Sequence, residues 1–108
     1  MIYAGKPVLH LNLIKKWFDM TSDKIKLEEY REINSYWGKY FSNSHIKIKG
    51  KYYHPTDVFI CFSNGYAKNR PQNIFECKGL KVGFGKEEWG AKPDTQYYIL
   101  QLGEIMPF

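Results

Sequence analysis

Residues 24–33 read KIKLEEYREI, and the period of this stretch decides the fold. From residue 27 onward the side chains alternate, with Leu27, Glu29, Arg31 and Ile33 on one face and Glu28, Tyr30 and Glu32 on the other. That is the period of a strand. The first face begins and ends on an aliphatic residue, so it heads for a core while carrying a carboxylate and a guanidinium. Buried charge is costly unless it is paired or faces a solvated cavity. Two readings stay open on these grounds: a purely architectural Glu29–Arg31 ion pair at a sheet rim, or the wall of a polar pocket. Strict alternation puts Lys26 on the opposite face. It joins Glu29 and Arg31 only if it lies in the turn before the regular strand begins.

Working outward, residues 8–11 form a short apolar strand, and Asn12 is expected to cap a helix starting near Leu13. Ile14, Trp17, Phe18 and Thr21 recur at helical spacing and predict one buried stripe. Thr21, Ser22 and Asp23 compete for helical hydrogen bonds and end it. On the other side, residues 35–41 predict a helical turn packed by Tyr36, Trp37, Tyr40 and Phe41. Residues 46–49 alternate as an exposed strand turned by Gly50. Residues 58–62, VFICF, read as a central strand stopped by Ser63, Asn64 and Gly65. A polar basic loop covers residues 67–73. A further strand spans 74–84, with Gly79 marking a bulge and Gly83 and Gly85 permitting close approach. Trp89 anchors a loop, and residues 97–102 supply the closing strand before Gly103. This pattern predicts an α+β fold: five or six short strands in a small, partly closed barrel with two short flanking helices, as a single domain over residues 1–108.

A chain of 108 residues, 44% hydrophobic, suffices for one core and not for two ordinary domains. Sixteen Lys and Arg against eleven Asp and Glu give a net charge of +5, which favours an anionic partner without establishing one. Cys61 and Cys77 sit in apolar segments without metal or disulfide spacing, and read as buried thiols. His10, His45 and His54 are scattered; His10 reads as an interior histidine and His54 as a loop residue, with a part in a pocket assembled in three dimensions left open for either. No metal or cofactor is expected. GFGKEEWG lacks the spacing of a phosphate loop. No signal peptide or membrane-length apolar run is present, so a cytoplasmic location is the expectation.

The segments LHLNLIKKWFDM, KIKLEEYREINSYW, VFICFSNGY and LKVGFGKEEWGA, in that order, resemble the ASCH domain family, which is similar to the PUA-like superfamily of small β-barrels. The family hallmark, Gly-x-Lys-x-x-Glu-x-Arg, matches Lys26, Glu29 and Arg31, with Lys24 at the glycine position. The resemblance implies a cleft beside the barrel that binds RNA or a modified nucleoside or nucleotide. Ligand contacts then fall to Lys26, Glu29 and Arg31, with Asn64, Tyr66, Lys68 and Arg70 from the later turn and loop. Some members resemble amidohydrolases acting on N4-acetylcytidine. That alternative makes Lys26, Glu29 and Glu76 the catalytic candidates, Lys26 for electrostatic stabilisation and a glutamate for proton transfer. Glu29 stands where those enzymes carry threonine. A third reading is an interaction domain whose charged motif is architectural.

Overall fold

The computed structural model describes residues 2–65 and 70–107. Its elements are β1 (Ile2–Tyr3), β2 (Lys6–Leu13), α1 (Lys15–Ser22), β3 (Glu28–Glu32), α2 (Ser35–Gly38), β4 (Phe41–Ser42), β5 (His45–Ile48), β6 (Lys51–Tyr53), β7 (Phe59–Asn64), β8 (Gln72–Phe84) and β9 (Gln96–Met106). Single 3₁₀ turns occupy Pro55–Asp57 and Glu87–Trp89. The fold is α+β, mostly strand.

The apolar run in β7 makes it an interior strand. Phe59, Ile60, Cys61, Phe62 and Ser63 are all buried. It pairs in parallel with β2 and antiparallel with β8. The large sheet has the order β1-β2-β7-β8-β9-β3, and β4-β5-β6 form a second, three-stranded sheet. Leu9, Leu11 and Leu13 of β2 join Ile60, Phe62, Phe75, Leu100 and Leu102 in the main core, with Phe18 of α1 and Phe41 and Ile46 of the small sheet. Burial of this kind contributes about 1.5–3 kcal/mol per large side chain.

Among the described residues the sheets do not close into a barrel. β1 pairs with β2 only at Pro7 and Lys6, so the rest of β2 is an open edge, and β3 is the other. Between these edges Arg31 of β3 reaches the Asn12 carbonyl of β2 in place of a strand ladder.

Several local expectations change for similar reasons. β2 runs on through Asn12, so Asn12 caps no helix; Ile14 takes the cap position with no side-chain hydrogen bond and is 65% exposed. Leu27 and Ile33 flank β3 rather than belonging to it, and both are exposed. Ile46 is fully buried although its strand alternates with lysines, because the second sheet packs that face on the core. Gly103 lies within β9, which runs on to Met106. His10 is exposed on the free edge of β2, not interior. The bulge at Gly79 is present as register shifts between Phe75 and Gly79. A Cβ on Gly85 would stand 2.7 Å from the Tyr30 ring, so that position needs glycine.

The small strands β1, β4 and β6 escape sequence reading because their information is in turns. Ala4–Gly5, Asn43–Ser44 and Lys49–Gly50 all have positive φ at both positions, and the flanking residues pair as hairpins. This is the turn that matches strand twist.

Candidate functional site

The site begins at the end of α1. The Lys24 N–H donates to the Thr21 carbonyl and the Ile25 N–H to the Met20 carbonyl, with Lys24 at φ 58°. This is a Schellman ending, whose left-handed residue is usually glycine. Lys24 fills it and ion-pairs with Glu104. The reversal that follows carries Lys26 inward before β3 starts at Glu28. That is the condition under which Lys26 can share a face with Glu29 and Arg31, and it is met.

Lys26 is 2% exposed, and its Nζ donates to Glu29 Oε1 at 2.6 Å and to the Glu28 carbonyl at 2.5 Å. The other Glu29 oxygen accepts from Arg31 Nη2 at 2.5 Å. One buried carboxylate is thus held between two cations, the arrangement that makes burial of charge tolerable. Arg31 Nη2 also donates to the Asn12 carbonyl at 3.1 Å. A side chain of β3 therefore bridges to the free edge of β2, across the gap where strand pairing is missing.

The gap contains a cavity of about 390 Å³ lined by residues 9–12 of β2, Arg31, Tyr36, Trp37 and Tyr40. Trp37 lies under the guanidinium, 4.8 Å from ring centroid to Arg31 Cζ. Asn34 caps α2 by accepting the Trp37 backbone N–H. Arg31 Nε is buried and has no hydrogen-bond partner among the described residues. Since the Asn12 carbonyl points into the gap, alternation along β2 directs the backbone N–H and C=O of His10 the same way. The cavity therefore offers backbone and guanidinium donors, backbone acceptors and three aromatic rings. His10 stays below its ordinary value, first through partial burial and then through positive charge, including Arg70 and Lys49.

The remaining candidates are dispersed. Lys26 and Glu29 belong to the charged cluster but do not line the cavity. Glu76 accepts the Glu104 N–H and lines a separate cavity with Lys6 and Lys78; among the described residues no hydrogen bond or ion pair joins it to Lys26 or Glu29. Asn64 ends β7, bonded through its backbone N–H to the Pro71 carbonyl. Arg70 acts electrostatically on His10. Tyr66 and Lys68 lie outside the described residues. Burial pushes the Cys77 thiol up to about 11, which disfavours the nucleophilic thiolate.

Sequence reading missed Asn12, Tyr36, Trp37 and Tyr40 as pocket residues, and left His10 open to a pocket role. Asn12 looked like a cap and the rings like core anchors. Their meeting depends on the two open sheet edges facing each other. No helix among the described residues is long and apolar enough to cross a membrane, and no group of three or more potential metal ligands occurs among them. Comparison with family models, curated proteins and solved structures returned no match.

Proposed function

We propose that the chain is an ASCH-type, PUA-like domain that binds RNA or a modified nucleoside or nucleotide in the cavity between β2 and β3. The observation that carries the reading is Arg31: its guanidinium is stacked on Trp37, anchored by Glu29 and Asn12, and retains a buried Nε–H without an acceptor among the described residues. A donor held this way favours a planar ligand with carbonyl or phosphate oxygens. The flanking rings of Tyr36, Trp37 and Tyr40 suit a flat aromatic partner, and the net charge of +5 suits an anionic one. Lys24 supports the family reading as well, because the position that the family fills with glycine has left-handed backbone here.

Binding is favoured over acyl hydrolysis. The Lys26 amine is spent on Glu29 and the Glu28 carbonyl, and Glu76 is engaged elsewhere. Lys26 and Glu29 act as positioning residues that hold Arg31. A panel of unmodified and acetylated nucleosides, their monophosphates and short RNAs tests this by calorimetry and acetate release. The expected result is binding without acetate release, weakened at least tenfold in Arg31→Lys. Acetate release from N4-acetylcytidine, abolished in Lys26→Ala, would replace binding with catalysis. No binding by any member of the panel would leave the architectural reading of the charged motif.

A further inference from the structure

Residues 33–56, which include α2 and the three strands of the small sheet, hold Lys39, Lys47, Lys49 and Lys51 and no Asp or Glu. Carboxylates flank the stretch on both sides, at Glu32 and Asp57. Interleaved with the lysines are Tyr36, Trp37, Tyr40, Phe41, Tyr52 and Tyr53. The small sheet sorts these by face. Phe41 and Ile46 point inward and are buried in the core. Ser42 pairs with His45 and Lys47 with Tyr52, so these four share the outward face. His54 follows Tyr52 by two residues, and its ring meets that of His45 edge-on at 6.4 Å.

The outward face is concave and carries Lys47; Lys51, paired with Ile48, lies on the opposite face. A cavity of about 270 Å³ is lined by Ser42, Asn43, His45 and Tyr52. The Tyr52 ring is 55% exposed, with Lys47 Nζ 5.4 Å from its centroid. This face continues toward the Arg31 cavity, because the Lys47 N–H donates at 2.8 Å to the carbonyl of Tyr40, which lines that cavity. At the same junction Lys39 stands 6.0 Å from the Tyr36 ring.

We propose that the outer face of the β4-β5-β6 sheet is a track for single-stranded RNA, extending from the base held at Arg31. This rests on the reading of the Arg31 cavity as a base site and adds that the ligand is a strand rather than a free nucleoside. The chemistry is specific to an unpaired strand. An exposed tyrosine beside a cavity takes an unstacked base, and Lys47, in a stretch without Asp or Glu, takes the adjoining phosphate. A duplex hides its base faces and has no use for the Tyr52 platform.

The test compares the four ribonucleoside 5′-monophosphates with RNA hexanucleotides of the same bases and a hairpin duplex, by calorimetry at several salt concentrations. For the preferred base, the hexanucleotide is expected to bind at least tenfold tighter than the monophosphate and tighter than the duplex. Tyr52→Ala and Lys47→Ala are expected to remove most of that advantage while leaving monophosphate affinity unchanged. Lys47→Ala should also lower the slope of log affinity against log salt by about 0.7, the share of one phosphate on a single strand. Equal affinity for monophosphate and hexanucleotide, or an advantage that survives both substitutions, overturns the track and leaves the Arg31 site standing. Equal affinity for the hairpin makes the face a general polyanion surface and also overturns it. No binding of monophosphate or hexanucleotide removes the base site and the track together.

Discussion

β7 and β3 are both strands of the same sheet, and they hold their neighbours in opposite ways. β7 is paired on both sides and buried along five of its six residues. β3 is paired only with β9, and it reaches β2 through Arg31. Apolar packing is non-directional and tolerates no opening. A buried carboxylate between two cations is directional, and it leaves donors and acceptors facing the space beside it. The lesson is that this fold opens the Arg31 cavity where strand pairing gives way to charged side chains.

Removing a buried group from either region gives the largest expected effect. Ile60→Ala in β7 should destabilise the fold by about 2–5 kcal/mol by opening a cavity. Lys26→Met should cost about 3–5 kcal/mol, since it leaves Glu29 with one cation. Chemical denaturation separates the two regions when a second change is added. Lys26→Met with Glu29→Leu should recover only part of the loss, because the buried Lys26–Glu29 pair is gone but Arg31 is left without its carboxylate. Failure to recover would mean that the cluster contributes more than paired charge.

Arg31→Lys probes the bridge itself. Lysine keeps the charge but loses the planar fork and the stacking on Trp37. Loss of its hydrogen bonds to Asn12 and Glu29 should cost about 1.5–3 kcal/mol of stability. Amide exchange should accelerate along β2 more than along β7. Equal acceleration in both strands would show that Arg31 does not hold the edges.

Lys24→Gly should have a smaller effect, of the opposite sign. Relief of a left-handed non-glycine residue, about 1–2 kcal/mol, is offset by glycine's greater freedom when unfolded and by loss of the exposed pair with Glu104. A net gain of roughly 0.5 kcal/mol is expected, read as a rise in Tm.

His10 gives the smallest effect. Its depressed value means that the unfolded chain takes up a proton first as the pH falls below about 6.5. Its contribution is present above that pH and is lost as the pH falls through the depressed folded value. An anionic ligand beside His10 should raise that value, seen as a shift in the His10 ring titration by NMR.

The strand at residues 58–62 was legible because burial on both faces needs an unbroken apolar run, and the two thiols were legible for the same reason. The pairing of Glu29 with Arg31 was legible from alternation. Lys26 was not. Alternation sent it away, and only the reversal at Lys24 returns it. Asn12 was misread because a strand and a helix cap are both compatible with the sequence around residue 12, and packing of β2 along β7 chose the strand. His10 was placed in the right strand but is exposed, because that edge of β2 stays open. The barrel was overread, since a count of strands does not say whether the last edge meets the first.

By itself the sequence determined an α+β chain, the interior strand β7 and a charged face on β3, because side-chain period and apolar content are local properties. The tertiary structure decided that the turn at Lys24 brings Lys26 to that face, that the sheet stays open, and that Arg31 spans the opening beside Trp37. Those outcomes depend on where a turn directs a side chain and on which edges meet, and both are set by packing between residues far apart in the chain.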